Sequence, residues 1–122
     1  MMNLFSSTRP IILTFVAYYL PAYKCGGPVR SIANMVERLG DEFDFRIITS
    51  DRDSFETAPF QGITADTWMR VGKALVYYTS PRNHTVVHFS KLLRETSYDI
   101  IYFNSFFSAV FTLRPLLALR VD

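Results

Sequence analysis

Four short apolar runs alternate with segments of helical periodicity along this sequence. Each run has the length of a buried strand and a turn or a polar flank beside it. The four runs are residues 11–16, 45–49, 74–78 and 100–103. Between them, residues 29–39 and 85–96 each carry one apolar stripe at helical spacing. This alternation predicts an α/β domain with a Rossmann-like, doubly wound parallel sheet of four strands, covered by helices on both faces.

Size and composition narrow the class of protein. The chain has 122 residues, which is one domain at most, and 49% of them are hydrophobic, which is enough for a core. The net charge of +2 gives no reason to expect a nucleic acid or an acidic partner. The single Cys excludes an intramolecular disulfide and indicates a reducing compartment. No apolar run approaches the roughly 20 residues of a membrane-spanning helix.

A pair of glycines lies between the first apolar run and the first helical pattern. Gly26 and Gly27 allow a ligand to approach the backbone closely. The helix that follows offers unpaired N–H groups and the positive end of its dipole. Lys24 and Arg30 add positive charge on either side of the pair. The pattern predicts a phosphate-binding turn, and the alternative is a tight turn flanked by ordinary solvated charges.

Polar residues also follow the second and fourth apolar runs. Asp51, Arg52 and Asp53 come directly after the second run, and Asn104 and Ser105 follow the fourth. In open α/β sheets, ligands bind beyond the carboxyl ends of the strands. We therefore expect these residues and the glycine turn to lie along one edge of the sheet. For residues 51–53 the alternative is a turn whose charges pair with each other.

Other features favour structural roles. Residues 50–72 lack periodicity, and we expect Trp68 to anchor this long loop on the sheet. His84 and His88 are four residues apart, which favours a solvated helix face over a two-histidine metal site. Cys25 lies beside the glycines, and a packing role is expected for it.

Four segments follow one another along the chain: YKCGGPVRSIANMVERL, FDFRIITSDRD, DTWMRVGKALVYYTSP and DIIYFNSFFS. Together they resemble the N-terminal domain of family 4 glycosyltransferases, retaining enzymes of the GT-B fold that assemble bacterial polysaccharide and lipopolysaccharide. The resemblance implies an enzyme that transfers a sugar from a nucleotide-sugar donor to a glycan or lipid-linked acceptor.

The resemblance also implies roles for individual residues. Gly26 and Gly27, with Lys24 and Arg30 near them, would contact the donor's diphosphate or the transferred sugar. The residues expected to face the acceptor are Tyr23, Asp51, Arg52, Asp53, Asn104 and Ser105. No cofactor or metal is expected, because helix ends and basic side chains neutralise the leaving diphosphate in this family. Such an enzyme is cytoplasmic, with peripheral contact at the inner membrane.

The sequence departs from the family in two respects. Many relatives carry a His at the end of the fourth strand, where this chain has Asn104, so no catalytic residue is assigned. The 122 residues also contain no donor-binding domain, which leads us to expect the front part of a longer enzyme that is inactive by itself.

Three other classes of protein are alternatives to a glycosyltransferase. A non-catalytic α/β binding or interaction module stays open as the main alternative. A phosphoacceptor receiver domain needs acidic residues after the first strand, where this chain has Ala17, Tyr18 and Tyr19. A nicotinamide-dependent dehydrogenase needs a further glycine at the helix start, where this chain has Arg30.

Overall fold

A computed structural model describes residues 8–24, 26–104 and 108–121. The described strands are β1 (Ile11–Phe15), β2 (Asp44–Ser50), β3 (Trp68–Val71), β4 (Ala74–Thr79) and β5 (Ile100–Phe103). The described helices are α1 (Gly26–Leu39), α2 (Val86–Glu95) and α3 (Arg114–Val121). A short 3₁₀ turn, Pro81–Asn83, precedes α2, and a π-helical segment, Ala109–Leu113, leads into α3.

All five strands form one sheet in the order β3-β4-β2-β1-β5. The neighbours β4, β2, β1 and β5 run parallel to one another, and β3 runs antiparallel to β4. Successive parallel strands are added on one side of β1 and then on the other, so the strand order reverses between β1 and β5. The α/β class is confirmed, and the carboxyl ends of the four parallel strands meet at one edge.

The sheet has a fifth strand that the sequence did not predict. The segment with no clear periodicity ends in β3, which turns into β4 through the two-residue loop Gly72-Lys73. Gly72 has a φ of +59°, a conformation that glycine adopts without steric cost. Trp68 packs edge-on against Tyr77 with ring centroids 5.4 Å apart, so it does anchor this segment on the sheet. The four predicted strands are present and parallel, but the antiparallel β3 makes the sheet mixed, so the expectation of a purely parallel sheet was wrong.

Helices pack on both faces of the sheet through two separate clusters of buried apolar side chains. On one face, Ile32 and Val36 of α1 pack over alternate residues of β2 and β4. On the other face, α2 and the segment leading into α3 cover Phe15 of β1. The Phe15 ring lies 5.9 Å from the Phe89 ring and 5.4 Å from the Phe103 ring. This two-sided cover explains why β2 and β4 are buried along their whole length.

The helix α2 closely matches its predicted bounds. Thr85 is the N-cap residue, and its hydroxyl accepts a hydrogen bond from the His88 backbone N–H at 3.1 Å. The predicted apolar stripe is buried at Phe89, Leu92 and Leu93. Val87, an apolar residue of the same helix, does not belong to the buried stripe and is 80% exposed. Within the described ranges, no helix has the length and apolarity needed to cross a membrane.

Candidate functional site

The two glycines lie within the first turn of α1 rather than in a loop before it. Neither has a left-handed backbone, and a Cβ atom added at either position would meet no atom within 4 Å. Steric crowding inside the described chain therefore does not require glycine here, although glycine in a helix costs up to about 1 kcal/mol relative to alanine. The pair leaves the backbone of this turn open to solvent and to any ligand that approaches it.

The two basic side chains near the glycines differ in their contacts. The Lys24 ammonium pairs with the Glu56 carboxylate, and this hydrogen bond raises the pKa of Lys24. Arg30 is exposed on α1. Of the two cations that the sequence placed beside a phosphate, Lys24 is thus already engaged with a carboxylate of the chain.

Asp53 joins the loop after β2 to the segment that precedes α1. Its Oδ2 accepts hydrogen bonds from the backbone N–H groups of Tyr23 at 2.9 Å and Lys24 at 3.3 Å. Its Oδ1 accepts from the Ser54 N–H at 2.8 Å. Burial by itself would raise the pKa of Asp53, but the three backbone hydrogen bonds lower it. The carboxylate is therefore ionised at neutral pH and fixes the approach to α1.

Asp51 and Arg52 form a bidentate ion pair with each other. This is the alternative given above for residues 51–53, a turn whose charges pair with each other. Arg52 Nε lies 2.8 Å from Asp51 Oδ1, and a second guanidinium nitrogen lies 3.3 Å from Oδ2. Arg52 also donates to the Thr57 carbonyl. The Asp51 side chain is buried, so the pair organises the loop from within.

An open groove brings Tyr23 and Asp53 together. It has a volume of about 530 Å³, and Tyr23 is 77% exposed beside it. The lining residues are Pro21, Tyr23, Asp53, Glu56, Ala58, Pro59, Phe60 and Gln61. Asn104, which follows β5, does not line this groove; its Nδ2 donates to the Tyr102 hydroxyl at 2.7 Å. Ser105 and Cys25 lie outside the described residues.

A smaller cleft of about 140 Å³ lies at the carboxyl edge of the sheet. The lining residues are Ala17, Tyr18, Ser50, His84, Ser108, Val110 and Phe111. These residues follow β1, end β2, follow β4 and precede α3. Ligands of open α/β sheets bind at this edge, where the strand order reverses.

His84 is a residue whose position the sequence analysis misjudged. It precedes α2 instead of sharing a solvated helix face with His88, and its Nε2 bonds the Thr79 carbonyl at 2.9 Å. Its ring packs edge-on against Phe111 with centroids 5.1 Å apart. Burial lowers the pKa of His84, partly opposed by the Thr79 bond and the charge of Asp51. His84 lies six positions after the third apolar run, so the pattern that marked residues 51–53, polar side chains directly after a strand, did not mark it.

His88 takes part in a different contact. Its Nε2 lies 2.9 Å from the Tyr77 hydroxyl, and burial raises the pKa of Tyr77 to about 12, which keeps that hydroxyl protonated. Burial lowers the pKa of His88, as it does that of His84. Among the residues that the structure describes, no group of three or more His, Cys, Asp or Glu side chains is placed to hold a metal ion.

Comparisons of the chain with protein-family models, with curated proteins and with solved structures find no match.

Proposed function

We propose that this chain is the acceptor-side part of a retaining, GT-B-type glycosyltransferase that moves a sugar from a nucleotide donor to a glycan or lipid-linked acceptor. The observation that carries the proposal is the open first turn of α1. Gly26 and Gly27 leave its backbone uncovered without any steric need of their own. A diphosphate or a transferred sugar is a ligand that gains from this approach, because helix N–H groups and the helix dipole favour negative charge.

The strand order supports the proposal. β1 lies inside the sheet, and the parallel strands are added on one side of it and then on the other, as in Rossmann-like, doubly wound folds. The antiparallel β3 extends the sheet on its far edge and leaves the carboxyl edge of the parallel strands unchanged.

The groove beside α1 supports an acceptor role. It presents the exposed Tyr23 and the half-exposed Glu56 carboxylate, and the buried Asp53 carboxylate holds the Tyr23 backbone in place. An aromatic ring provides apolar contact area, and carboxylates accept hydrogen bonds from hydroxyl groups. The Asp51–Arg52 pair supports the loop that forms one wall, so these residues act by positioning that wall.

In the proposed reaction, charge that develops on the leaving diphosphate meets the backbone N–H groups of α1 and the exposed Arg30. No metal is needed in this scheme, and the catalytic residue is unassigned. The proposal places the enzyme in the cytoplasm, in peripheral contact with the inner membrane where lipid-linked acceptors lie.

Binding rather than catalysis is measured, because the resemblance leads us to expect no sugar transfer by these 122 residues alone. A panel of uridine, guanosine and adenosine diphosphate sugars is titrated into the chain and followed by amide NMR. The proposal expects at least one member to move the amide signals of Gly26 and Gly27, with the free diphosphate weaker than the sugar nucleotide. If no nucleotide sugar moves these signals, the proposal fails.

A non-catalytic interaction module is favoured by one observation. The β5 strand lies at the edge of the sheet, and its Ile100 and Tyr102 side chains are 51% and 37% exposed. Exposed apolar side chains on an edge strand are typical of a surface that meets another protein. This function predicts a change in the β5 signals as protein concentration rises, with no response to nucleotide sugars.

A further inference from the structure

The strand β5 has one side of its backbone open. It ends the strand order, so among the described residues it pairs with β1 alone. The Phe15 carbonyl accepts a hydrogen bond from the Asn104 N–H at 3.0 Å, one residue past its register partner Phe103. In a regular parallel ladder, this bond means that the N–H and C=O groups of Tyr102 point toward β1. Since successive residues of a strand present these groups to opposite sides, those of Ile101 and Phe103 point outward.

This edge carries no charge that would keep another strand away. Natural sheets protect exposed edges with charged side chains, proline or bulges. The four residues of β5 are all apolar or aromatic. Asp99 precedes them, and its carboxylate already accepts a hydrogen bond from the Ile11 N–H at 2.7 Å. The opposite edge of the sheet differs, because β3 carries the exposed charge of Arg70.

A second copy of the chain satisfies this edge in one antiparallel register. Outward groups must face outward groups, which places Ile101 opposite Phe103 of the second copy and Tyr102 opposite its own counterpart. The register is two-fold symmetric, so both strands use the same residues and form the same hydrogen bonds. It pairs β-branched with aromatic side chains, a favourable combination across strands. Because β5 has no charged residue, no like charges face each other between the paired strands.

The neighbouring symmetric register is less favourable. It would place Ile101 opposite itself and Asp99 opposite Phe103, and it would need the Asp99 N–H as a donor. That N–H already donates to the Ile11 carbonyl at 2.9 Å. The register with Tyr102 at the two-fold axis uses only groups that point outward.

Apolar surface accompanies β5 on both faces of the sheet. On one face, Ile100 and Tyr102 are exposed. The helix α3 belongs to the apolar cluster of the opposite face, and its Leu116 and Leu117 are exposed as well. Pairing at β5 brings the two Tyr102 rings together, and burial of apolar surface stabilises association in addition to the new hydrogen bonds.

We propose that two copies of this chain associate through antiparallel pairing of their β5 strands, which joins the two sheets into one continuous sheet with Tyr102 at the two-fold axis. The pairing does not depend on sugar transfer, because β5 contributes no residue to the α1 turn, the groove or the cleft.

Amide hydrogen exchange of the parent chain tests the register residue by residue. It is measured at low micromolar and at near-millimolar protein, and sedimentation gives the mass at both concentrations. The Ile101 and Phe103 amides are expected to exchange roughly tenfold more slowly at the higher concentration. The Tyr102 amide, which points toward β1, is expected to be slow at both. A monomer throughout, or equal exchange of Ile101 and Phe103 at both concentrations, would overturn the proposal.

A charge at the axis gives an independent measurement. Tyr102→Lys places two like charges opposite each other and should raise the dimer dissociation constant roughly tenfold or more. Val87→Lys adds the same charge at an exposed apolar position of α2. It is the matched control and is expected to associate like the parent. Thermal unfolding at low concentration verifies that both variants are folded.

Mixing two charge variants separates loss of pairing from damage to the chain. Y102K and Y102E should each associate weakly alone, whereas their equimolar mixture should form a heterodimer, because opposite charges then meet at the axis. No gain on mixing would contradict the register. Association of both single variants at the strength of the parent would place the contact on another surface and overturn the proposal.

Discussion

One oxygen of the Asp53 carboxylate accepts a hydrogen bond from the backbone N–H of Tyr23 at 2.9 Å, across 30 positions of sequence. The same oxygen accepts from Lys24, the next residue. This contact joins the two segments that form the groove and sets the direction in which the chain enters α1. The groove and the open glycine turn therefore share a common support.

Replacement of Asp53 by Asn should destabilise the fold by about 1–3 kcal/mol, because an amide cannot accept all three backbone hydrogen bonds. The pKa of Asp53 is lowered in the folded chain. Its contribution is therefore complete above the unfolded pKa and is lost as pH falls through the folded pKa. Urea unfolding at neutral and acid pH measures both effects.

The control is Asp41→Asn, which breaks an exposed ion pair with Lys73 and should cost less than about 1 kcal/mol. Equal losses in the two variants, or a D53N loss that does not shrink in acid, would contradict the role of Asp53.

The glycines divide into positions that tolerate a side chain and positions that do not. G27A should leave stability unchanged or raise it by up to about 1 kcal/mol, because the helix gains alanine in open space. G40A should destabilise strongly, since its Cβ would clash with the Val36 carbonyl and lie 2.7 Å from the Lys73 Cβ. G72A should cost about 1 kcal/mol or more at its φ of +59°. Thermal unfolding of the three variants gives the ranking, and a large loss in G27A would mean that Gly27 serves the fold.

Thr85 caps α2 with a side-chain hydrogen bond to the His88 N–H. T85A should therefore lower the free energy of unfolding by about 1 kcal/mol, within a range of roughly 0.5–2 kcal/mol. T67A, at an exposed position just before β3, serves as the matched control and should change it little. Chemical denaturation compares the two, and a T67A loss as large as that of T85A would argue against the cap.

Phe55 has a φ of +64° and is 98% exposed, so its ring gains little from packing. F55G should be more stable than F55A by about 1 kcal/mol, because both lose the ring and only glycine relieves the left-handed backbone. The comparison of F55G with F55A isolates the free energy of the left-handed backbone at residue 55. The difference between their unfolding midpoints measures it. If F55A is as stable as F55G, no strain is stored at this turn.

The sequence predicted the parts of the fold that follow from periodicity. Four buried strands were visible as apolar runs, and α2 was visible because Thr85 caps a clear apolar stripe. The strand β3 was not visible in the sequence as an apolar run. Its four residues lie at the sheet edge and are at most half-buried, so they need not all be apolar. Gly72 beside two short apolar stretches was the available signal for that hairpin.

The candidate site was predicted less well, for a physical reason. Adjacent residues such as Gly26 and Gly27 can be placed from local pattern, but tertiary partners decide what a polar side chain does. Lys24 pairs with Glu56, and Asp53 bonds Tyr23, across about 30 residues that no local pattern connects. The His84 ring is held beside the cleft by the Thr79 carbonyl and by Phe111, which lies 27 positions further along the chain.

The most direct test of the central claim is amide NMR of the parent chain and of G27V, titrated with the nucleotide-sugar panel. The account predicts saturable shifts of the Gly26 and Gly27 signals in the parent and loss of binding in G27V, whose added side chain would occupy the space in front of the turn. Undiminished binding in G27V, or no shift at either glycine with any nucleotide sugar, would contradict it.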